Sequence, residues 1–373
     1  MKKITGFIKK EIVLVVAGII AVITMFIVPP SKEYINYIDF KVLALLFSLM
    51  IIVEALRGLG IFTKLIVMLT SKIKSSRMLE MILVFICFFS SMIITNDVAL
   101  ITFVPFAIEL LVVIKKEKHI IYIVVLQTIA ANLGSMLTPI GNPQNIFLYN
   151  CYNMSMGSFF AITYKYVLAA MLLLVACVFV LPNHNVEIEK KETAELSLKR
   201  WNLLVLIAVF LVCIACVSRV VDYRIMLGIT IAAIAIVDFR LFKRADYMLL
   251  LTFVAFFIIT GNIRSIGAVS AKLSAVVTGN EFFTGILASQ VISNVPAAVL
   301  LSNFTTNGEL LLASVNIGGL GTLIASMASL ISFRYYGDLK AAKKGKYIGI
   351  FTLMNLLFLA VMTGIFFITE RFL

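Results

Sequence analysis

Two stretches decide how this chain is read: SSMIITNDVALITFVPF (Ser90–Phe106) and ANLGSMLTPIGNPQNIF (Ala131–Phe147). Each is apolar on both sides of a polar knot, Thr95-Asn96-Asp97 in the first and Gly141-Asn142-Pro143-Gln144-Asn145 in the second. The same order recurs in the C-terminal half, as ASQVISNVPAAVLL (Ala288–Leu301) and then VNIGGLGTLIASMASLIS (Val315–Ser332). Unwound polar backbone within hydrophobic segments is tolerated only where it is buried in protein or lines a watery cavity. Two such pairs at corresponding places in two halves point to a transporter's substrate site.

The surrounding composition agrees. Hydrophobic residues make up 62% of the 373, against the roughly 45–50% of a soluble globule. Mean hydropathy is +1.08. This is the composition of a polytopic membrane protein. The net charge of +13 belongs to the positive-inside bias of cytoplasmic loops rather than to a nucleic-acid partner. Cys213 and Cys216 form a CxxC inside an apolar segment, without the second pair that a metal site needs. No disulfide framework is implied. The N-terminus has a basic head and an apolar core with no small-residue cleavage site, which reads as a retained first helix.

Runs long enough to cross a bilayer divide the chain as follows. Spans are expected at Glu11–Val28 and Phe40–Leu56, then an amphipathic piece at Gly58–Lys74. A hairpin over 79–114 turns at the Thr95-Asn96-Asp97 knot, leaving arms of about 16 residues, which is short for a crossing. A broken span follows at 120–149 and a whole one at Phe159–Leu181. After a polar linker, 182–200, come spans at Trp201–Val217, Ile225–Asp238 and Tyr247–Ile263 and an amphipathic piece at Gly267–Val277. A second hairpin (282–304), a second broken span (310–333) and a last span, Tyr347–Ile368, complete the chain.

With a cytoplasmic N-terminus and both hairpins re-entrant, 24 of the 32 Lys and Arg fall inside, as the positive-inside rule asks. The expected fold is thus an all-α polytopic membrane protein of two inverted repeats. Residues 1–181 form the first repeat, 182–200 a cytoplasmic linker, and 201–373 an extra helix plus the second repeat. Polar positions align between them. Arg57-Gly58-Leu59-Gly60 matches Arg264-Ser265-Ile266-Gly267; Ser91, Thr95 and Asn96 match Ser289, Ser293 and Asn294; Asn132, Thr138 and Asn142 match Asn316, Thr322 and Ser326.

At each hairpin tip, a second arm's N-terminus presents free N–H groups and a positive dipole end, which attract an anion. Carbonyl, hydroxyl and amide oxygens there suit a hard cation such as Na⁺. The ion-binding candidates are Ser91, Thr95, Asn96, Asp97 and Gly141, with Ser289, Ser293, Asn294 and Ala325 as the mirrored set. The substrate-binding candidates are Thr95, Asn96, Asp97, Asn142, Pro143, Asn145, Ser293, Asn294, Thr322 and Ser326. The competing reading is that these side chains only cap and glue helices. Asp97, the one carboxylate expected deep in the membrane, would bind a cation, carry a proton or orient substrate. Val295 stands at its mirrored position, so its role is asymmetric. Arg57 and Arg264 read as interface anchors rather than substrate clamps.

Two hairpins with Asn-containing tips, each followed by a broken helix of the Gly-Asn-Pro-x-Asn kind, resemble the ion transporter superfamily. That group includes divalent-anion:sodium symporters, citrate and arsenite permeases and a branch of Na⁺/H⁺ antiporters. The resemblance covers nearly the whole chain. It implies a dimerising scaffold domain and a transport domain that moves like an elevator. The dicarboxylate symporters carry Ser-Asn-Thr at each tip, whereas these tips read Thr95-Asn96-Asp97 and Ser293-Asn294-Val295. The Asn-Asp pair is similar to the arsenite permease and antiporter branches. Ala325 stands where the resemblance expects Gly.

The function expected is secondary active transport of a small anionic solute, a carboxylate or inorganic oxyanion, across a bacterial-type cytoplasmic membrane. The drive would be Na⁺ or H⁺, with no other cofactor. The alternatives are Na⁺/H⁺ antiport and arsenite or antimonite efflux, the latter without a cysteine at either tip. The expected partners are the solute, the bilayer and a second copy of the chain; nucleic acid is not among them. An intramembrane enzyme would need deep His or paired acids, but His119 and His184 fall in loops. No nucleotide-binding motif is present.

Overall fold

The computed structural model describes residues 11–70, 73–186, 200–340 and 342–370. The basic N-terminal head and residues 187–199 of the expected linker lie outside the described residues. The described residues are helical, without a β-strand; their only extended pairing is an isolated bridge between Ser75 and Asn185.

The first half runs α1 (Ile12–Ile27), α2 (Tyr34–Tyr37), α3 (Phe40–Gly58), α4 (Ile61–Thr70), α5 (Ser76–Ile94), α6 (Asn96–Val113), α7 (Ile120–Ser135), α8 (Pro143–Cys151) and α9 (Met156–Phe179). The second half runs α10 (Arg200–Val217), α11 (Tyr223–Asp238), α12 (Tyr247–Ser265), α13 (Gly267–Val277), α14 (Glu281–Ile292), α15 (Asn294–Leu301), α16 (Gly308–Ile317), α17 (Met327–Gly337) and α18 (Lys344–Glu370). Among the described residues seven helices are long and apolar enough to cross a membrane, or eight if α3 and α4, bent by 57°, count as one. The protein is therefore an integral membrane protein.

Local chemistry sets the helix starts. Side-chain oxygens of Asp39, Ser155, Asp246 and Asn307 accept hydrogen bonds from first-turn N–H groups of α3, α9, α12 and α16, satisfying donors that the helix itself cannot. The breaks are equally definite. Thr95 and Ser293 adopt nearly the same left-side backbone, φ 71° and ψ 150° against φ 74° and ψ 155°. For residues with a Cβ this conformation is uncommon and costs energy that the surroundings must supply. It reverses the chain at both tips.

One expectation about the first hairpin needs correction. Its arms are 19 and 18 residues long, and each alone is long enough to cross a membrane. The argument for re-entry from short arms therefore does not hold there, because the helices begin and end nearer the caps than the apolar run indicates. For the second hairpin it does hold, with arms of 12 and 8 residues.

The two hairpins open at opposite ends of α9, an unbroken helix of 24 residues, about 36 Å long. Just past the C-terminal end of α9, the His184 carbonyl accepts from the Ser76 N–H at 2.8 Å, and the His184 N–H donates to the Ser76 hydroxyl at 3.0 Å. At that same base His119, in the turn after α6, hydrogen-bonds the buried carboxylate of Glu80. Just before the other end of α9, the Tyr152 hydroxyl donates to the carbonyls of Ser302 and Thr305 at the base of the second hairpin. There the Thr305 hydroxyl donates to Glu281 at 2.7 Å.

Two apolar cores result. One is built from α5, α6, α7, α9, α17 and α18, the other from α1, α3, α10, α11 and α12 with α8 and α15. Residues of α16 enter both cores. The breaks after α7 and α16 thus lie along the seam.

Without a hydrophobic drive between helices in lipid, close backbone approach decides packing. A Cβ at Gly134 of α7 would lie 2.2 Å from the Phe88 carbonyl oxygen of α5. Gly134→Ala should therefore lower stability by about 1–3 kcal/mol, read as a lower melting temperature in detergent. Gly228→Ala, inside α11 where nothing lies within 4 Å, should not lower it, since Ala is the better helix former.

Candidate functional site

The two hairpin tips are latched to the two helix breaks by matching bonds. The Asn96 N–H donates to the Gly141 carbonyl at 3.2 Å, and the Asn294 N–H to the Ala325 carbonyl at 2.9 Å. The hydroxyl of Thr138 donates to the Met92 carbonyl, and that of Thr322 to the Gln290 carbonyl. Each tip asparagine turns its own Oδ1 onto the next N–H, Asp97 in one case and Val295 in the other. Ser91 packs against Gly134 and Ser289 against Gly318, where in both cases an added Cβ would meet the serine hydroxyl within 3 Å. All these pairs fall in the register that the polar positions set in the sequence.

The halves are also joined to each other. Asn132, near the end of α7, is the hub. Its Oδ1 accepts from Asn96 Nδ2 at 3.0 Å and from the Ser326 hydroxyl at 3.0 Å, while its Nδ2 reaches the Gly319 carbonyl at 3.4 Å. Asn316, its counterpart on α16, donates to Asn145 Oδ1 at 2.7 Å, and Asn145 donates to the carbonyls of Ser135 and Thr138. Asn142 donates to the Ser135 hydroxyl. Every one of these asparagines is buried. An asparagine can serve such breaks because its carboxamide both donates and accepts.

Four polar atoms in or next to this cluster remain without a hydrogen-bond partner among the described residues. They are Asn142 Oδ1, Asn316 Oδ1, Ser329 Oγ and Gln144 Nε2. A buried polar atom left unpaired costs about 1–3 kcal/mol, so these are the places where a ligand would gain most. Three are oxygens suited to a hard cation; the fourth is an N–H donor suited to an anion. Helices α6, α8, α15 and α17 begin beside the cluster, at Asn96, Pro143, Asn294 and Met327, and each directs a positive dipole end toward it. Neither the cluster nor the tips contain Lys, Arg or His. Asp97 stands half-buried in the first turn of α6, with no ion pair among the described residues. Nor do three or more His, Cys, Asp or Glu gather into a metal-binding group there.

Most of the expected residues are brought together, but not all. Asn96, Asn142, Asn145, Ser293, Asn294 and Ser326 meet, with the carbonyls of Gly141 and Ala325. Pro143 supplies the first residue of α8. Thr95 is the strained tip residue. Ser91 and Ser289 donate back to their own helices while packing on the facing glycines. Thr322 is exposed, and both its N–H and its hydroxyl bond Gln290, so it is a latch.

Reading for tip motifs passed over Asn132, Asn316, Ser135, Gln144 and Gln290 as site residues. The signal for Asn132 and Asn316 was available, since they align with each other between the halves. Two acids are more deeply packed than Asp97, Glu80 and Glu281, but they lie at the bases of the two hairpins rather than at a tip. His119 belongs to a packed pair with Glu80 rather than to a free loop.

Removing the hub should disturb both tips. Asn132→Ala leaves Asn96 Nδ2 and the Ser326 hydroxyl without their acceptor, at a cost of about 2–4 kcal/mol. A clear drop in melting temperature is expected, whereas Asn36→Ala, on the surface, should cause none.

Comparison with known proteins places this geometry. Residues 4–307 match the family described as "Citrate transporter". The chain is similar to an uncharacterized transporter of Methanocaldococcus jannaschii, 30% identical over 94% of this chain and 96% of that protein. It is also similar to the inner membrane protein YbiR of Escherichia coli, 33% identical over 84% of each. The silicon efflux transporter LSI3 of Oryza sativa is 29% identical over a shorter stretch, 35% of this chain and 26% of that one. The asparagine-latched helix breaks thus sit in a chain that belongs to the citrate transporter family of membrane transporters.

Proposed function

We propose that this protein is a secondary active transporter for a small oxygen-rich anion, a carboxylate or an inorganic oxyanion, driven by Na⁺ or H⁺. The observation that carries this reading is the seam cluster, where two hairpin tips and two helix breaks share one set of buried amides and hydroxyls. Tip and break oxygens (Asn96, Gly141, Asn294, Ala325, Asn142, Asn316) hold the coupling cation, and the four helix N-termini face the solute.

Coupling follows from charge. A helix N-terminus contributes about 0.3–2 kcal/mol toward an anion, far less than burying a carboxylate costs. With no cationic side chain in the cluster, the anion binds well only when a cation has loaded first. Ion loading also orders the strained tips at Thr95 and Ser293. The matched latches and the hairpins opening at opposite ends of α9 support two inverted repeats. They also support an elevator step, in which the two hairpins and the helix breaks move against α1, α3, α10, α11 and α12, the latter forming a homodimer scaffold. Clustering of Arg57, Arg77, Lys115, Lys116, Lys118 and Arg244 at the first hairpin's open end fits a cytoplasmic face there, with the N-terminus inside.

Asp97 favours a second reading, Na⁺/H⁺ antiport. An acid beside the tip with no ion pair is a ready exchange site. Outward movement of an uncharged or weakly acidic oxyacid, arsenite included, is the remaining alternative; the rice relative's name also describes efflux.

The test is uptake into proteoliposomes of radiolabelled carboxylates and oxyanions under imposed Na⁺ or pH gradients. Asn96→Ala should reduce ion-driven uptake by about tenfold or more, the equivalent of one lost interaction of about 1.4 kcal/mol. Asp97→Asn should abolish or uncouple transport with little change in melting temperature. Unchanged ion-coupled uptake in Asp97→Asn would remove that residue from the mechanism. Cation exchange by the wild type without any carried anion would favour antiport.

A further inference from the structure

A crevice of about 770 Å³ opens on the second core, between the α2–α3 region, α8 and α12, at the end of α9 where the second hairpin opens. Its walls come from the α2–α3 region and the C-terminal end of α12 on one side, and from α8 and Asn303 on the other. Two cations line it, Arg264 and Lys41. We propose that this crevice is a first capture site for the anionic solute, with the Arg264 guanidinium as its principal contact. The proposal rests on the transporter reading above and adds where the solute enters.

The argument begins with a broken symmetry. Arg57 and Arg264 occupy matching positions in the last turns of α3 and α12. Arg57 is neutralised by Glu54, three residues earlier, at 3.0 Å. The corresponding position before Arg264 is Gly261. No side chain fits there, because a Cβ would lie 2.3 Å from the Tyr37 ring. Arg264 is thus left exposed, without an ion pair among the described residues, on the wall of the crevice.

The crevice also holds two acids, Glu33 and Asp39, but neither forms an ion pair with Arg264 or Lys41 among the described residues. Asp39 turns its carboxylate onto the Val42 N–H at 2.9 Å, capping α3. Glu33 is exposed, where solvent and salt screen it. A guanidinium offers paired N–H donors in the geometry that a carboxylate or oxyanion accepts.

The floor of the crevice leads toward the central cluster. It includes Phe147 of α8 and Phe257 of α12, whose ring centroids lie 5.8 Å apart. Phe147 is just over one turn into the helix that starts at Pro143, about 6 Å along its axis. A captured anion would therefore sit on the far side of this aromatic pair from Asn142 and Asn145, held before it is committed to the buried site.

The native thiol of Cys151 provides the test. It lines the same crevice and is exposed, whereas Cys87, Cys177, Cys213 and Cys216 are buried. Labelling rates of purified protein at low ionic strength would be compared for the anionic sulfonatoethyl and the cationic trimethylammonioethyl methanethiosulfonates. Because Asp39 also acts on the Cys151 thiol, the readout is the preference for the anionic reagent, the anionic-to-cationic rate ratio, compared between variants. That preference should fall several-fold in Arg264→Gln, survive in Arg264→Lys and shrink with added salt. Citrate should slow labelling of the wild type but not of Arg264→Gln. An identical reagent preference in wild type and Arg264→Gln overturns the capture site. Asn96→Ala separates the two readings: it should lose transport yet keep the charge preference at Cys151. If every anion is transported with the same KM in Arg264→Gln as in the wild type, the capture site fails and the transporter reading stands. If the charge preference is present but no anion is carried, the capture site stands and the transporter reading fails.

Discussion

The structure depends on one constraint. A helix that stops inside an apolar environment leaves N–H and C=O groups that water cannot reach, and each must find a partner within the protein. Here four helix ends stop together, and the asparagines answer for them. Asn132 alone holds Asn96, Ser326 and the backbone of Gly319. The two breaks thereby become one structure, and the two hairpin tips are fastened to it. Buried polar networks of this kind rigidify when complete and are costly where they are not. The few atoms left open in this one, on Asn142, Asn316, Ser329 and Gln144, therefore mark where a solute or ion would complete it.

The near-symmetry of the halves gives its departures meaning. The latches at Asn96 and Asn294 match, as do the strained residues Thr95 and Ser293, which suits a site reached alternately from two ends. Asp97 against Val295, and the Glu54-paired Arg57 against the free Arg264 beside Gly261, do not match. In the proposed transport cycle the matched latches serve the movement, and the unmatched residues give the two ends different chemistry. A cluster built from amides, hydroxyls and helix N-termini is also the basis of the proposed ion coupling, since partial charges alone do not offset the burial of a full one.

Much of this was legible in the sequence. Helix positions followed from apolar run length, the breaks from polar knots, and the register of the latches from the alignment of Ser, Thr and Asn between the halves. Family membership followed from the same knots. What stayed hidden depends on contacts distant in sequence. The arms exceed the expected 16 residues because Ser75 caps α5 three residues before the apolar run and the tip takes only Thr95 between α5 and α6. Thr322 bonds the Gln290 carbonyl as Thr138 bonds that of Met92, so alignment gave its register but not its part as a latch. The pairing of Glu80 with His119 and the exclusion of a partner from Arg264 by Tyr37 arise only when separate helices meet. No local pattern announces them.

The central claim is that the seam cluster binds a cation and an anion rather than only gluing helices. It is tested most directly by thermal stability of the purified protein in detergent, with Na⁺ titrated against choline at several pH values and repeated across carboxylates and oxyanions. A ligand that binds only the folded state raises the melting temperature by mass action, by about 2.7 kcal/mol of stability at a hundred times its Kd. The account predicts a rise with Na⁺ or with protons that one class of anion increases further, and that anions alone do not produce. Melting temperatures indifferent to every cation and anion, in protein that is folded at the outset, would contradict it and leave the asparagines as structural glue.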